Sequence, residues 1–188
     1  MHKFILSIFL LFVMTVGACT GVRVSQDYDL GKPLPVMTTY RWQAAAQAAT
    51  GDVRVDNPLL NERIRGAIDK TFTAKGFKKA NGDDPDFVVA YQFTIKQKIR
   101  TDDLHSGIGV GVGAHGRHGG LVVSSGPSVT QVEQGYLVID LMAADSGVLL
   151  WRGKGTRYLP EHANPEETEK IYNELVAKIL EQFPPKGQ

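Results

Sequence analysis

The chain has 188 residues and carries 21 Lys and Arg against 20 Asp and Glu. This balance offers no electrostatic basis for binding nucleic acid, and it predicts no polybasic patch for an anionic membrane. The length suits one well-buried domain, and the single cysteine, Cys19, excludes an internal disulfide.

Residues 1–18 have the pattern of a secretory signal peptide. Lys3 supplies a positive start, and an almost continuously apolar run extends from Phe4 to Val16. Gly17 and Ala18 follow as the small residues of a cleavage site. Because the run of about 13 residues is shorter than the roughly 20 that a helix needs to span a bilayer, the pattern favours cleavage over a transmembrane anchor.

The end of this segment, Val16-Gly17-Ala18-Cys19, resembles the lipobox of bacterial lipoproteins. The resemblance implies a diacylglyceryl thioether on Cys19, cleavage before it, and acylation of the new amino terminus by a chain such as palmitate. Several acyl chains give durable anchoring. Val16 stands where leucine is more usual, and the alternative is an ordinary cleaved leader with a coincidental cysteine. Thr20, rather than aspartate, implies the outer membrane, facing the periplasm, by the sorting rule of enteric bacteria.

The mature chain opens with a short tether over residues 20–35 that leads into a first strand, because apolar residues alternate from Val22. A second short strand is expected over Thr38–Trp42, and the alanine-rich Gln43–Gly51 is a loop or weak helical turn. Asn57 and Pro58 then begin a helix that ends at Gly76. Its apolar stripe consists of Leu60, Ile64, Ala67, Ile68 and Phe72.

Three strands and a helix complete the chain. Asp86–Arg100 alternates with one polar face, which favours an antiparallel sheet open to water on one side. Gly135–Ala143 and Val148–Tyr158 form a hairpin about the turn Asp145-Ser146-Gly147. The last helix begins at Asn164-Pro165. Its stripe consists of Thr168, Ile171, Leu175, Ile179 and Phe183, widened by Tyr172, Val176 and Leu180, and Pro184-Pro185 ends it.

These elements predict a two-layer α+β fold, a mainly antiparallel sheet with two amphipathic helices packed on one face. One domain over residues 19–188 accommodates them all, including the tether and a glycine-rich loop at 106–126.

Three short motifs resemble a known family. They are Tyr40-Arg41-Trp42, the run from Asp86 to Tyr91, and the stretch from Leu141 through Gly147 to Trp151-Arg152-Gly153. Together they look like the bacterial lipoprotein family known as domain of unknown function 4136, over roughly Val22 to Phe183. The resemblance implies a lipid-anchored envelope protein, and it brings no known activity and no catalytic residues.

The glycine-rich segment Ser106–Gly126 has eight glycines, with Ile108, Val110 and Val112 between several of them. A phosphate-binding loop would need a strand before it and a helix after it, whereas the segment Leu121–Ser125 that follows is strand-like. A mobile connection between strands is the favoured interpretation. A flat strand able to pair with a partner is the alternative.

Three histidines lie in or just before this loop: His105, His115 and His118. Imidazoles are ligands for zinc or copper, so these three residues are the candidate metal site. The simpler interpretation is solvated loop histidines, because a glycine-rich segment does not preorganise a site.

The remaining polar candidates have structural explanations. Asp83, Asp84 and Asp86 around Pro85 indicate a turn rather than a calcium site, which needs a fuller set of oxygen ligands. Asp140 is expected to be solvated or paired across the hairpin with Arg152 or Lys154.

Nucleophilic catalysis has little support from the sequence, because Ser124 and Ser125 do not sit in a Gly-x-Ser-x-Gly elbow. The aromatic residues have two possible roles. They are either a binding surface or, more simply, core and sheet face: Tyr28, Tyr40, Trp42 and Trp151.

The sequence therefore favours a lipid-anchored protein of the bacterial cell envelope that acts as a non-enzymatic binding or structural module. It assigns no catalytic residue and no cofactor. The expected partners are the membrane, through the lipid on Cys19, and an envelope protein, with no nucleic acid. The alternative is a metal-binding or metal-dependent hydrolytic protein that uses His105, His115 and His118.

The lipid anchor has a direct test. Cys19→Ser should leave an unlipidated precursor, because only the thiol at this position can accept the diacylglyceryl group. Acyl labelling in cells, followed by intact-mass measurement, checks this. Acyl labelling that is unaltered in the variant would refute the lipobox.

Overall fold

The computed structural model describes residues 21–44, 47, 49–82, 84–102 and 128–185. The predicted signal peptide and the glycine-rich loop lie outside these residues. The elements, in chain order, are β1 Arg23–Asp27, β2 Thr39–Trp42, α1 Pro58–Ala74, β3 Lys78–Lys79, β4 Phe87–Asp102, β5 Ser128–Ala143, β6 Leu149–Leu159 and α2 Pro165–Leu180. No helix in the described part of the chain is both long and apolar enough to cross a membrane.

One six-stranded sheet has the order β1-β6-β5-β4-β2-β3. The pairs from β1 through β6 and β5 to β4 are antiparallel, which confirms the predicted α+β fold with a mainly antiparallel sheet. The prediction did not include one feature of the sheet: β2 pairs in parallel with both β4 and β3. Helix α1 is the reason, since it carries the chain back along the sheet before β4 begins, and such crossovers produce parallel neighbours.

The predicted helices form where the capping residues place them. The Asn57 side chain accepts from the backbone N–H of Leu60 at 3.1 Å and so caps α1. At α2, Asn164 and Glu167 form the reciprocal capping box. Gly76 has a φ of 90°, the left-handed conformation that ends a helix at little cost for glycine.

Both helices pack on one face of the sheet. The apolar stripe of α1 is buried as predicted, and so is that of α2 apart from the half-buried Thr168. They meet the alternate residues of the three central strands, namely Phe87, Val89, Phe93, Leu137, Ile139, Leu141 and Trp151. In the part of the chain that the structure describes, no helix lies on the opposite side of the sheet, and we refer to that side as the open face.

Helix α2 approaches β6 so closely that only glycine fits at two positions of the strand, Gly153 and Gly155. A Cβ added at Gly153 would lie 2.4 Å from Ile179 Cγ2, and one at Gly155 would lie 2.7 Å from Ile179 Cδ1. Both distances are below ordinary van der Waals contact, so these two glycines set the separation of the helix and the sheet. Trp151 lies fully buried beside them and donates to Gln26 Oε1 at 3.0 Å.

This packing predicts the effect of a single methyl group. Gly155→Ala should lower the free energy of unfolding by about 1–3 kcal/mol, because the Cβ overfills the contact with α2. Gly66→Ala is the matched control, because Gly66 lies on the exposed side of α1 and its Cβ would meet nothing within 4 Å. This substitution should be neutral or stabilising by up to about 1 kcal/mol. Urea unfolding followed by circular dichroism measures both, and equal stabilities would contradict the packing argument.

Candidate binding cleft

A cleft of about 310 Å³ lies at the edge of the sheet where β2 ends beside β4. Strand β2 pairs with β4 only over Phe87–Val89, so the continuation of β4 leaves a gap beside α1. The side chains that line it include Trp42, Gln47, Asn61, Arg65, Tyr91 and Arg152.

Asp69 fixes the position of the Trp42 ring. The Trp42 indole N–H donates to Asp69 Oδ1 at 2.9 Å, and the Tyr40 hydroxyl donates to the same oxygen at 2.7 Å. Lys79 Nζ reaches the second oxygen, Asp69 Oδ2, at 3.1 Å. Burial raises the pKa of Tyr40, and the hydrogen bond to Asp69 raises it further, so the phenol remains a donor at neutral pH.

Arg65 lies over the fixed indole, with its guanidinium carbon 4.4 Å from the ring centroid. This distance is typical of a cation–π contact. Stacking uses the face of the guanidinium, while its N–H donors lie in the plane and stay available. Within the described residues, no carboxylate lies at salt-bridge distance from Arg65.

Tyr91 forms the next part of the wall. Its hydroxyl donates to Asn61 Oδ1 at 2.6 Å, and its ring meets Trp42 edge to face at 6.3 Å between centroids. Burial raises the pKa of Tyr91, and the Arg65 charge lowers it to a lesser extent. The cleft therefore combines a neutral phenol, an amide and a cation beside an aromatic surface.

Gln47 closes the backbone edge of β4. Its amide Nε2 donates to the Phe93 carbonyl at 2.8 Å, and the Phe93 N–H donates to Gln47 Oε1 at 2.6 Å. This reciprocal pair takes the place of a neighbouring strand. Without it, the backbone N–H and C=O groups of Phe93 would be exposed at the edge of the sheet. Gln47, in the segment that the sequence predicts as a loop or weak helical turn, thus covers this part of the β4 edge.

Asp140 and Arg152 face each other across the β5–β6 hairpin and form a bidentate pair, with N···O distances of 2.6 and 2.7 Å. Of the alternatives that the sequence left open for Asp140, pairing with Arg152 is the one that the structure shows. Its hydrogen bonds raise the pKa of Arg152. Because Asp140 neutralises Arg152, Arg65 is the cation in the cleft that can accept a new anionic partner.

The aromatic candidates divide between core and cleft. Tyr40 and Trp151 are buried in the core, and Tyr28 packs against it. Trp42 alone of the four lines the cleft. Arg65, Asn61 and Gln47 were not among the residues that the sequence singled out. No local signal distinguishes them, because each is a polar residue on a helix surface or in a loop.

Asp86 joins the beginnings of β2 and β4. Its Oδ2 accepts from the backbone N–H of Thr38 at 2.7 Å and of Thr39 at 2.8 Å, and from both threonine hydroxyls at 3.0 Å. These bonds lower the pKa of Asp86 to about 2. Asp86 therefore has a structural role, because it holds the start of β2 against the start of β4.

Several candidate residues lie outside the described residues: Cys19, His105, His115, His118, Ser124 and Ser125. The metal hypothesis therefore stays a prediction. In the ranges that the structure describes, no group of three His, Cys, Asp or Glu side chains could hold a metal ion.

The architecture defines the class of protein, an α+β protein with a mixed six-stranded sheet, two helices on one face and a polar cleft at the sheet edge. Residues 24–185 match the family described as Domain of unknown function (DUF4136). The chain belongs to this family, as its three short motifs predicted.

Among curated proteins, none matches this chain. Solved structures that match this chain include the PelC dodecamer from Paraburkholderia phytofirmans, with 13% identity over 85% of this chain and 94% of that one and a TM-score of 0.46. A PDZ domain protein from Parabacteroides distasonis shares 10% identity over 95% of this chain and 40% of that one, with a TM-score of 0.48. Likenesses at this level say nothing about the function of this chain.

The bonds of Asp86 predict a pH-dependent stability. Asp86→Asn should lower the free energy of unfolding at neutral pH by about 1 kcal/mol. This value is low for hydrogen bonds to a charged group, because solvent screens the exposed carboxylate. A carboxyl whose pKa is lowered stabilises the fold above its usual pKa of 3.8, and that contribution disappears as the pH falls towards 2.

Urea unfolding between neutral pH and pH 2 measures this dependence. The difference between Asp86→Asn and the unmodified protein should shrink as the pH falls from 3.8 to about 2. Asp145→Asn, in the exposed turn between β5 and β6, should change little at any pH. A difference at Asp86 that is constant over the whole range would contradict the assignment.

Proposed function

We propose that this protein is a lipid-anchored binding module of the bacterial cell envelope, attached through Cys19, whose edge cleft binds an acidic group of an envelope protein. The arrangement of Arg65 over Trp42 is the observation that carries the proposal. A guanidinium held against an indole, with no described carboxylate at salt-bridge distance from it, suits a bidentate carboxylate.

The surroundings of Arg65 favour recognition of a partner side chain. Trp42 is held by Asp69 and Tyr91 by Asn61, so little conformational entropy is lost when a ligand enters. Tryptophan, tyrosine and arginine are also the residues that dominate binding energies at protein interfaces. The cleft offers amide and hydroxyl groups for orientation in addition to the cation.

The described titratable residues support binding more than catalysis. Asp69, Asp86 and Asp140 each accept several hydrogen bonds from neighbouring groups that fix the fold. A general acid or base needs a positioned partner and access to substrate, and these carboxylates are already occupied by structural donors.

Site-specific photocrosslinking in cells tests the proposal. Replacing Gln92, an exposed residue at the cleft, with p-benzoylphenylalanine should give a reproducible protein adduct. The same replacement at Glu169, exposed on α2, should not. Adding Arg65→Gln should lower the adduct yield roughly tenfold, the value of a lost charge-assisted hydrogen bond.

Arg63→Gln is the matched control, because Arg63 is a half-buried arginine of the same helix that does not line the cleft. It should leave the adduct at Gln92 unchanged. Equal adducts at positions 92 and 169, no adduct at 92, or equal effects of the two arginine substitutions would each overturn the assignment of the cleft.

A further inference from the structure

Strand alternation gathers cations on the open face, although the whole chain is almost neutral. Lys96 and Lys98 of β4, Lys154 of β6 and Arg23 of β1 occupy positions on this face, and all four are exposed. Tyr136 of β5 lies between them, opposite Thr156 of β6. We call these four cations and the tyrosine the cationic patch.

Two of the ammonium groups converge on one ring. Lys96 Nζ lies 5.1 Å and Lys98 Nζ 5.8 Å from the Tyr136 ring centroid. Arg23 of β1 is two strand spacings from Tyr136 of β5, roughly 10 Å, and three from β4, roughly 14 Å. The patch is therefore small enough for a few neighbouring phospholipid headgroups to contact it at once.

The carboxylates on the open face lie towards the end of the strands that is farther from Lys96 and Lys98. Among the residues whose side chains the structure describes, these are Asp27 and Asp140, and both stand opposite or beside Arg152. Glu133 projects from the other face, where it pairs with Arg54. The positive charge of the patch is thus concentrated around Tyr136.

The chain enters the fold at this same end of the sheet. Arg23 is the first residue of β1 and follows Cys19 by four residues. Four residues of fully extended chain reach roughly 14 Å. A lipid on Cys19 would therefore hold the cationic patch within reach of the headgroup layer.

We propose that the cationic patch is a second membrane contact, which binds anionic phospholipid headgroups and turns the open face towards the bilayer. The proposal rests on the lipid anchor of the proposed function. A basic cluster near an acyl anchor adds electrostatic attraction to the lipid's own insertion. Tyrosine is also a residue typical of the membrane interface, where its ring and its hydroxyl meet different surroundings.

The test uses the processed lipoprotein, purified from membranes and reconstituted in vesicles. A thioether on Cys19 leaves no free thiol, so one introduced cysteine is a unique labelling site. Ser25→Cys places a fluorophore on the open face of β1, and Glu169→Cys places it on α2. The vesicles contain a quencher on the lipid headgroup and are made of phosphatidylcholine, alone or mixed with phosphatidylglycerol.

The label at position 25 should be quenched more strongly than the label at 169, and phosphatidylglycerol should increase that difference. The double substitution Lys96→Gln with Lys98→Gln should lower the ratio of protein whose cationic patch contacts the bilayer to anchored protein whose patch does not. We expect a roughly 30-fold decrease, the loss for two cations at an anionic surface. Lys70→Gln with Lys170→Gln, the same charge change on the exposed helices, should not lower this ratio. Added salt should reduce quenching of the protein with all lysines intact.

Quenching that is equal at the two positions, or that is independent of phosphatidylglycerol, overturns the proposal. Quenching at position 25 that rises with protein density, without regard to lipid charge, assigns the patch to contact between copies instead. An intact mass that lacks acyl chains, or labelling of protein without an added cysteine, overturns the anchor and this proposal with it. An intact mass with the expected acyl chains, together with equal quenching at the two labels, overturns the membrane contact of the patch and leaves the lipid anchor in place.

Discussion

The close approach of α2 to β6 is the constraint on which the remaining architecture depends. Gly153 and Gly155 leave no room for a side chain beneath Ile179, so the helix rests almost directly on the strand backbone. The packed helices cover one face of the sheet and bury its apolar residues there. The other face is left to the alternate residues, which are mostly polar, and this gives the protein one buried and one exposed sheet surface.

Asp69 connects this core to the cleft. The same carboxylate oxygen accepts from Tyr40, whose ring lies in the core, and from Trp42, whose ring lines the cleft. Two residues on one strand thus reach one acceptor on α1, because they are two positions apart and point to the same face. The packing of α1 on the sheet therefore also determines where Arg65 meets the indole.

Much of the fold was predictable, and little of the cleft was. Helix stripes and caps are local patterns, so α1 and α2 were placed within a few residues of their observed ends. The parallel pairing of β2 was not predictable, because tertiary contacts determine which strands pair. The aromatic residues show the same limit: Tyr40 and Trp42 are close in sequence and alike in character, yet the first is buried and the second is part of the cleft wall.

By itself the sequence determined the periodicity of the longer elements, the ends of the two helices, and membership of the DUF4136 family. These follow from neighbours along the chain, which the side-chain periods of helices and strands express directly. Only the tertiary structure decided that Arg65 stacks on Trp42 and that cations of β1, β4 and β6 share one face. A net charge near zero contains no information about that clustering, because strand register brings together residues that are far apart in the chain.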